Sequence, residues 1–342
     1  MRQAVVAIVL HALCMASNAA MGLAEWPASD TAGPVTVFFP TNAPEQDVKR
    51  GPFELRVAVD AAPVKGNGTL VVISHGSPAS PWVYLDIARA LVDAGFVVAL
   101  PEHHRDNHKD AREPGPPSWQ RRPLEVSKAI DAVARNTVFA PLLQFDRVGM
   151  YGMSAGGHTA LSLAGGRWSP ARFNRHCQAH MAEDFQTCVG LITRLNGGPL
   201  DGVKVAVARW VIGLKFTDET WHEHTDPRIK AVVAGVPLAA DFDLASLSHP
   251  KVRLGIISAE NDRWLIPQFH SEAVLQACAS CESLARLSHA GHGALLSPLP
   301  PDLGGLLADV IGDPPGFNRT QTTREVNALI VAFFVKNLEV MP

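Results

Sequence analysis

Arg147-Val148-Gly149-Met150-Tyr151-Gly152-Met153-Ser154-Ala155-Gly156-Gly157-His158 runs from a β-rich stretch into a helix-forming one through the sequence Gly-x-Ser-x-Gly. The placement says more than the motif. A serine at the tip of a sharp strand-to-helix turn is held in a strained backbone conformation that exposes its hydroxyl, and glycine two residues away on either side lets neighbouring backbone approach closely. Ser154 also stands where a helix begins, so free N–H groups and the positive end of the helix dipole favour a developing negative charge. Ser154 is the candidate nucleophile.

The turn sits within a repeating pattern. Short β-rich runs, Val35–Phe39, Phe53–Val59, Leu70–Ser74, Phe96–Leu100, Arg147–Tyr151, Ile229–Val236, Val252–Ser258 and Ser283–Leu287, alternate with helical patterns at Pro81–Ala94, Pro123–Arg135, Ser154–Ala164, Pro267–Ala277 and Thr323–Asn337. Leu70-Val71-Val72-Ile73 is apolar at consecutive positions, as in a strand buried on both faces of a parallel sheet. The alternation predicts an α/β fold with a mostly parallel eight-stranded sheet and helices on both faces. Residues 165–226 break the rhythm: no strand pattern, several amphipathic helical segments including Gly202–Leu214, and Trp168, Trp210 and Trp221. They read as a helical insertion capping the carboxyl edge of the sheet, where ligands bind in such folds. Glu113–Pro117 and Ser297–Pro301 read as proline-rich loops.

A serine needs a base, and the base needs an orienting carboxylate. Fourteen histidines make His alone a poor clue, but chain order helps. In folds with this elbow the acid follows a late strand and the histidine follows the last one. Ala259-Glu260-Asn261-Asp262 follows one such run and Ser288-His289-Ala290-Gly291-His292-Gly293 the next. Asp262 is preferred to Glu260 because it lies deeper in its loop, and His292 to His289 because flanking glycines allow a tight loop. Asp241 and Asp243 remain alternative acids. Ser74-His75-Gly76-Ser77, at the end of an earlier strand, supplies a second backbone N–H for an oxyanion, so Ser77 and Ala155 are the candidate oxyanion donors. Glu102-His103-His104-Arg105-Asp106-Asn107-His108 has metal-like composition but no complementary ligand set, and is read as a polar loop rather than a metal site. The chemistry requires neither cofactor nor metal.

These features together resemble the dienelactone-hydrolase-like and platelet-activating-factor-acetylhydrolase-like branch of the α/β hydrolases. The resemblance rests on Val35–Thr41, Ser74-His75-Gly76, Ala94–Ala99, Arg122-Pro123, Gly152–Gly156, Asp262 and His292. It implies the α/β-hydrolase fold and a Ser-Asp-His carboxylic-ester hydrolase, with Ser154 where true dienelactone hydrolases carry cysteine, and with the helical insertion shaping the acyl or alcohol pocket. An amidase or peptidase with the same triad, and a silent binding protein retaining the fold, are the alternatives.

Composition narrows the setting. A net charge of −3 and 18% charged residues give no basic excess for nucleic acid. Arg2 and an apolar run from Ala4 to Leu13, followed by Ser17-Asn18-Ala19 and Gly22-Leu23-Ala24, read as a signal peptide over residues 1–24 and a secreted or periplasmic protein without a stable membrane span. Cys14 lacks the small residues of a lipoprotein site. The other cysteines, Cys177 with Cys188 and Cys278 with Cys281, are expected to form local structural disulfides. The expected partner is a small-molecule ester; oligomeric state is not legible.

Overall fold

The computed structural model describes residues 20–300 and 304–339. Ten strands form one sheet: β1 (Ala20–Trp26), β2 (Val35–Thr41), β3 (Gln46–Arg50), β4 (Phe53–Val59), β5 (Thr69–Ser74), β6 (Val97–Pro101), β7 (Gln144–Met153), β8 (Ile229–Gly235), β9 (Arg253–Ala259) and β10 (Glu282–Leu287). Their order is β10-β9-β8-β7-β5-β6-β2-β1-β4-β3. From β6 through β10 neighbouring strands are parallel, while β2 runs antiparallel to both β6 and β1.

β5 shows why the centre of the sheet needs helices on both sides. Its residues are all buried, with Leu70 and Val72 in one core and Val71 and Ile73 in the other. The first core is completed by α2 (Pro116–Arg135) and α3 (Ala155–Leu163) through Val126, Ile130, Val133 and Leu161. The second is completed by α1 (Leu85–Asp93) and α9 (Arg319–Asn337) through Ile87, Leu91, Ile330 and Phe334. Each such side chain removed from water contributes about 1.5–3 kcal/mol.

The sheet has two strands more than the eight expected. β3 is a largely exposed edge strand, Gln46 to Arg50, with charged Asp47, Lys49 and Arg50 and a single apolar residue, Val48; charges on an edge discourage pairing with other chains. β1 begins Ala20-Met21-Gly22-Leu23-Ala24, small and apolar residues that also suit a leader. Of the expected signal peptide, residues 1–19 lie outside the described residues, whereas Ala20 to Ala24 belong to β1 and pair with Thr41 to Val37 of β2. A chain beginning at residue 25 would keep only Glu25 and Trp26 of that strand. Helix boundaries moved as well. α2 starts at Pro116, inside the stretch read as loop, because Pro116 and Pro117 fit a first turn without needing their N–H groups; Pro123 lies within the helix.

Between α3 and β8 lie α4 (Pro170–His180), α5 (Phe185–Val189) and α6 (Asp201–Lys215). Cys177 of α4 is disulfide-bonded to Cys188 of α5, and Cys278 to Cys281 just after α7 (Ser271–Ala277). Asp184 ties these helices to the sheet domain. Its carboxylate lies 2.7 Å from His176 Nε2, 3.2 Å from His270 Nε2 and 2.8 Å from the Thr187 hydroxyl, and His270 Nδ1 accepts the Ala239 N–H. Burial works to raise the Asp184 pKa, but these partners outweigh it and hold the carboxyl well below its ordinary range.

Candidate active site

β7 delivers Ser154 into a turn with φ 59° and ψ −119°. A side chain at positive φ costs about 1–3 kcal/mol, and the surroundings must hold it there. They do so through close packing. A Cβ on Gly152 would lie 1.9 Å from the carbonyl oxygen of Gly156, and one on Gly156 would lie 1.9 Å from that of Ser74. Both glycines of Gly-x-Ser-x-Gly are therefore demanded by the turn itself. The Ser154 N–H donates to Gly235 O, and its carbonyl accepts from His158 and Leu238.

The loops after β9 and β10 bring two more side chains to this turn. His292 Nε2 lies 2.9 Å from Ser154 Oγ, and His292 Nδ1 lies 2.7 Å from Asp262 Oδ2. The other Asp262 oxygen accepts N–H groups from Trp264 (2.8 Å) and Leu265 (2.9 Å). A carboxylate only accepts, so Nδ1 carries the proton facing Asp262, leaving Nε2 free to accept from the serine. Asp262 and His292 are buried, while Ser154 is partly open. Arg319 braces the histidine loop by donating to the carbonyls of Gly293 and Leu296, and a Cβ on Gly293 would strike Ile311 O at 2.2 Å. Glu260 and His289 are exposed.

The alternative acids are engaged elsewhere. Asp241 lies 2.9 Å from His158 Nε2 in a fully buried pair, and Asp243 pairs with Arg167 at 2.7 Å.

The loop carrying Ser77 touches the Ser154 turn: a Cβ on Gly76 would lie 3.5 Å from Ser154 Cβ. The Gly76 N–H is taken by the Tyr84 hydroxyl, 2.8 Å away, and among the described residues neither the Ser77 nor the Ala155 N–H has a protein acceptor. The loop rests on a buried polar core that sequence reading did not find. The Ser77 hydroxyl donates to Asp106, whose other oxygen accepts from Ser118 (2.5 Å) and from Arg122 Nη2 (2.8 Å) and Nε (3.1 Å), while Arg122 also donates to the carbonyl of His75. Burial pushes Asp106 up, but the Arg122 charge and the two hydroxyls outweigh it and the carboxyl ends below its ordinary value. Beneath this lies another line of groups: Ser74 Oγ is 2.8 Å from His103 Nε2, and His103 Nδ1 is 2.6 Å from Glu125 Oε2. Burial raises the Glu125 pKa and, with the nearby Arg122 charge, pulls that of His103 well below the imidazole norm. Thus the Glu102–His108 segment serves as a polar support for the loop, with His104 and His108 left exposed.

No family model and no curated protein matches this sequence. Among solved structures, a ferulic acid esterase from Streptomyces cinnamoneus is similar, with a TM-score of 0.58 at 14% identity over 96% of this chain and 92% of that one. The mostly parallel mixed sheet, the helices on both its faces and this structural match give the chain the α/β-hydrolase fold.

Proposed function

We propose that this protein is a serine esterase that cleaves carboxylic esters through an acyl-enzyme intermediate. The observation that carries the reading is the continuous line from Ser154 Oγ to His292 (2.9 Å) and from His292 to Asp262 (2.7 Å) on a strained elbow. His292 takes the hydroxyl proton as Ser154 attacks the ester carbonyl, and the Ser77 and Ala155 N–H groups stabilise the oxyanion. Collapse expels the alcohol, which receives the proton from His292. Water then attacks the acyl-enzyme with His292 again as base and frees the acid. Asp262 fixes the imidazole tautomer and stabilises the imidazolium. Every step uses groups of this chain, a small-molecule ester and water.

The setting we propose is extracytoplasmic, supported by the two disulfides and the leader-like N-terminus. Of the two cleavage motifs, Ser17-Asn18-Ala19 is the compatible one, because processing after Ala19 leaves β1 whole. The similarity to a ferulic acid esterase makes esters of aromatic acids a sensible addition to the substrates tested.

The test is hydrolysis of p-nitrophenyl esters of increasing acyl length, and of a feruloyl ester, beside matched anilides. Ester hydrolysis that disappears in Ser154→Ala is the expected result. Activity surviving that substitution, or a preference for the anilides, would overturn the proposal.

A further inference from the structure

α6 is apolar on two opposite sides. Val205, Ala208 and Ile212 face the core. Val203, Val207, Trp210 and Leu214 face outward, each more than half exposed, with Trp210 at 67%. Their 3–4 spacing puts all four in one row along the helix. Two further exposed apolar side chains precede it in the chain: Leu200, directly before the helix, and Ile192, 89% exposed, just after α5. The loop between them is folded onto the first turn, with Asn196 and Gly197 donating to Asp201 and Lys204 Nζ donating to Arg194 O. Single exposed apolar residues are ordinary on a soluble protein, but a row of four with such neighbours marks an interaction surface. Trp210, one of the aromatic residues expected to shape a substrate pocket, belongs to this outer row instead.

The charges around the row indicate what it meets. Residues 190–216 carry Arg194, Lys204, Arg209 and Lys215; Lys204 pairs with Asp201 and Arg194 with Asp309, which leaves Arg209 and Lys215 without a carboxylate partner among the described residues. On a helical projection Lys215 falls on one flank of the row, about 110° from its centre, and Arg209 on the other, about 130° from it. Central aliphatic and tryptophan side chains flanked by cations suit a helix lying at the surface of an anionic lipid layer, with the long cationic side chains reaching the headgroups. A two-fold contact with a second copy would set like-charged flanks against each other.

The surface is also connected to the candidate active site. Arg194 pairs with Asp309 of α8 (Gly305–Ile311), the Asp309 carbonyl accepts from Trp264 Nε1 at 3.1 Å, and the Trp264 N–H donates to Asp262. α8 itself exposes Leu306 and Leu307. We infer that the outer face of α6 docks this protein onto an anionic lipid–water interface and holds its active-site loops beside it.

Flotation with vesicles of phosphatidylcholine, or of phosphatidylcholine mixed with phosphatidylglycerol, tests this using wild type and a Val207→Ser/Trp210→Ser variant with the same N-terminus. The mixed vesicles should bind wild type more strongly than the neutral ones do, less so in high salt, and about tenfold or more better than they bind the variant. The variant's rate on a soluble short-chain ester should be unchanged, which reports an intact fold and triad. Equal flotation of wild type and variant, equal binding to both vesicle types, or no binding of wild type would overturn the inference. A wild-type dimer lost in the variant would also overturn it and assign the face to a second copy. Vesicle binding is read without turnover, so it stands or falls apart from the esterase reading.

Discussion

Two places in this molecule hold a serine, an imidazole and a carboxyl group in line, and their spacings are nearly the same: 2.9 and 2.7 Å for Ser154, His292 and Asp262, against 2.8 and 2.6 Å for Ser74, His103 and Glu125. Ser74 is the last residue of β5 and Ser154 directly follows β7, both parallel strands of the central sheet. The lines differ in everything around those atoms. Ser154 stands partly open on a positive-φ turn at a helix start, and the Ser77 and Ala155 N–H groups have no protein acceptor among the described residues. Ser74 is fully buried, and its carbonyl is pressed against Gly156, where a Cβ would sit 1.9 Å away. Three aligned residue types therefore do not make a nucleophile. On the proposed function, access to a substrate carbonyl and donors for its oxyanion are what would make one line react and leave the other a support.

The comparison can be broken most sharply at the two acids. Asp262→Asn should lower turnover about 10⁴-fold, by favouring the wrong His292 tautomer, while the fold survives. Glu125→Gln should leave the chemistry in place and cost mainly stability, about 1–3 kcal/mol for a disturbed buried hydrogen bond. Steady-state kinetics and chemical denaturation on the two purified variants give the answer, and equal losses of turnover would erase the difference between the two lines.

A smaller effect is expected at the buried pair that carries the Ser77 loop. Asp106→Asn leaves the Arg122 guanidinium without its counter-charge and should destabilise the protein by about 3–5 kcal/mol. Because the Ser77 hydroxyl also bonds to Asp106, the surviving folded enzyme should lose kcat more than KM. A variant with normal stability and kcat would detach the pair from both roles.

The smallest effect is a slope. Burial, reinforced for His75 by His103 and Arg122 and for His103 by Arg122, pulls both imidazoles well below their ordinary value of 6.5. Below that pH the unfolded chain takes up protons that the folded chain refuses, so stability should fall with acidification by up to about 1.4 kcal/mol per pH unit for each imidazole. Denaturation midpoints taken from neutral pH downward should show this loss, and it should be halved in His103→Gln. Ion-paired Asp106, with its depressed pKa, adds a further loss only at lower pH, as its carboxylate protonates.

The two serine lines also differ in how far they could be read from the sequence. The elbow was legible because its glycines are fixed by backbone clashes that only one residue type avoids, and Asp262 and His292 because chain order in such a sheet puts them in successive late loops. Ser74, His103 and Glu125 give no joint signal in the sequence, since a strand end, a loop and the interior of α2 meet only when the sheet forms. The Asp106–Arg122 pair was hidden for the same reason: Asp106 read as part of a polar loop, and Arg122 as a residue preceding a helix that in fact starts at Pro116. β3 carries no apolar alternation because it is a mostly charged edge, and β1 opens with small and apolar residues that a leader also uses. The outer row of α6 could not be told from its inner one, because a helix that is apolar on both sides gives no sign of which side is covered.

The most direct measurement is reaction of the folded protein with a fluorophosphonate, followed by mass-spectrometric location of the adduct, on wild type, Ser154→Ala and Ser74→Ala. A single phosphonyl group on Ser154, absent in Ser154→Ala and retained in Ser74→Ala, is the predicted result. An adduct at another serine, or a folded wild type that does not react, would contradict the assignment of Ser154 as nucleophile and with it the esterase proposal.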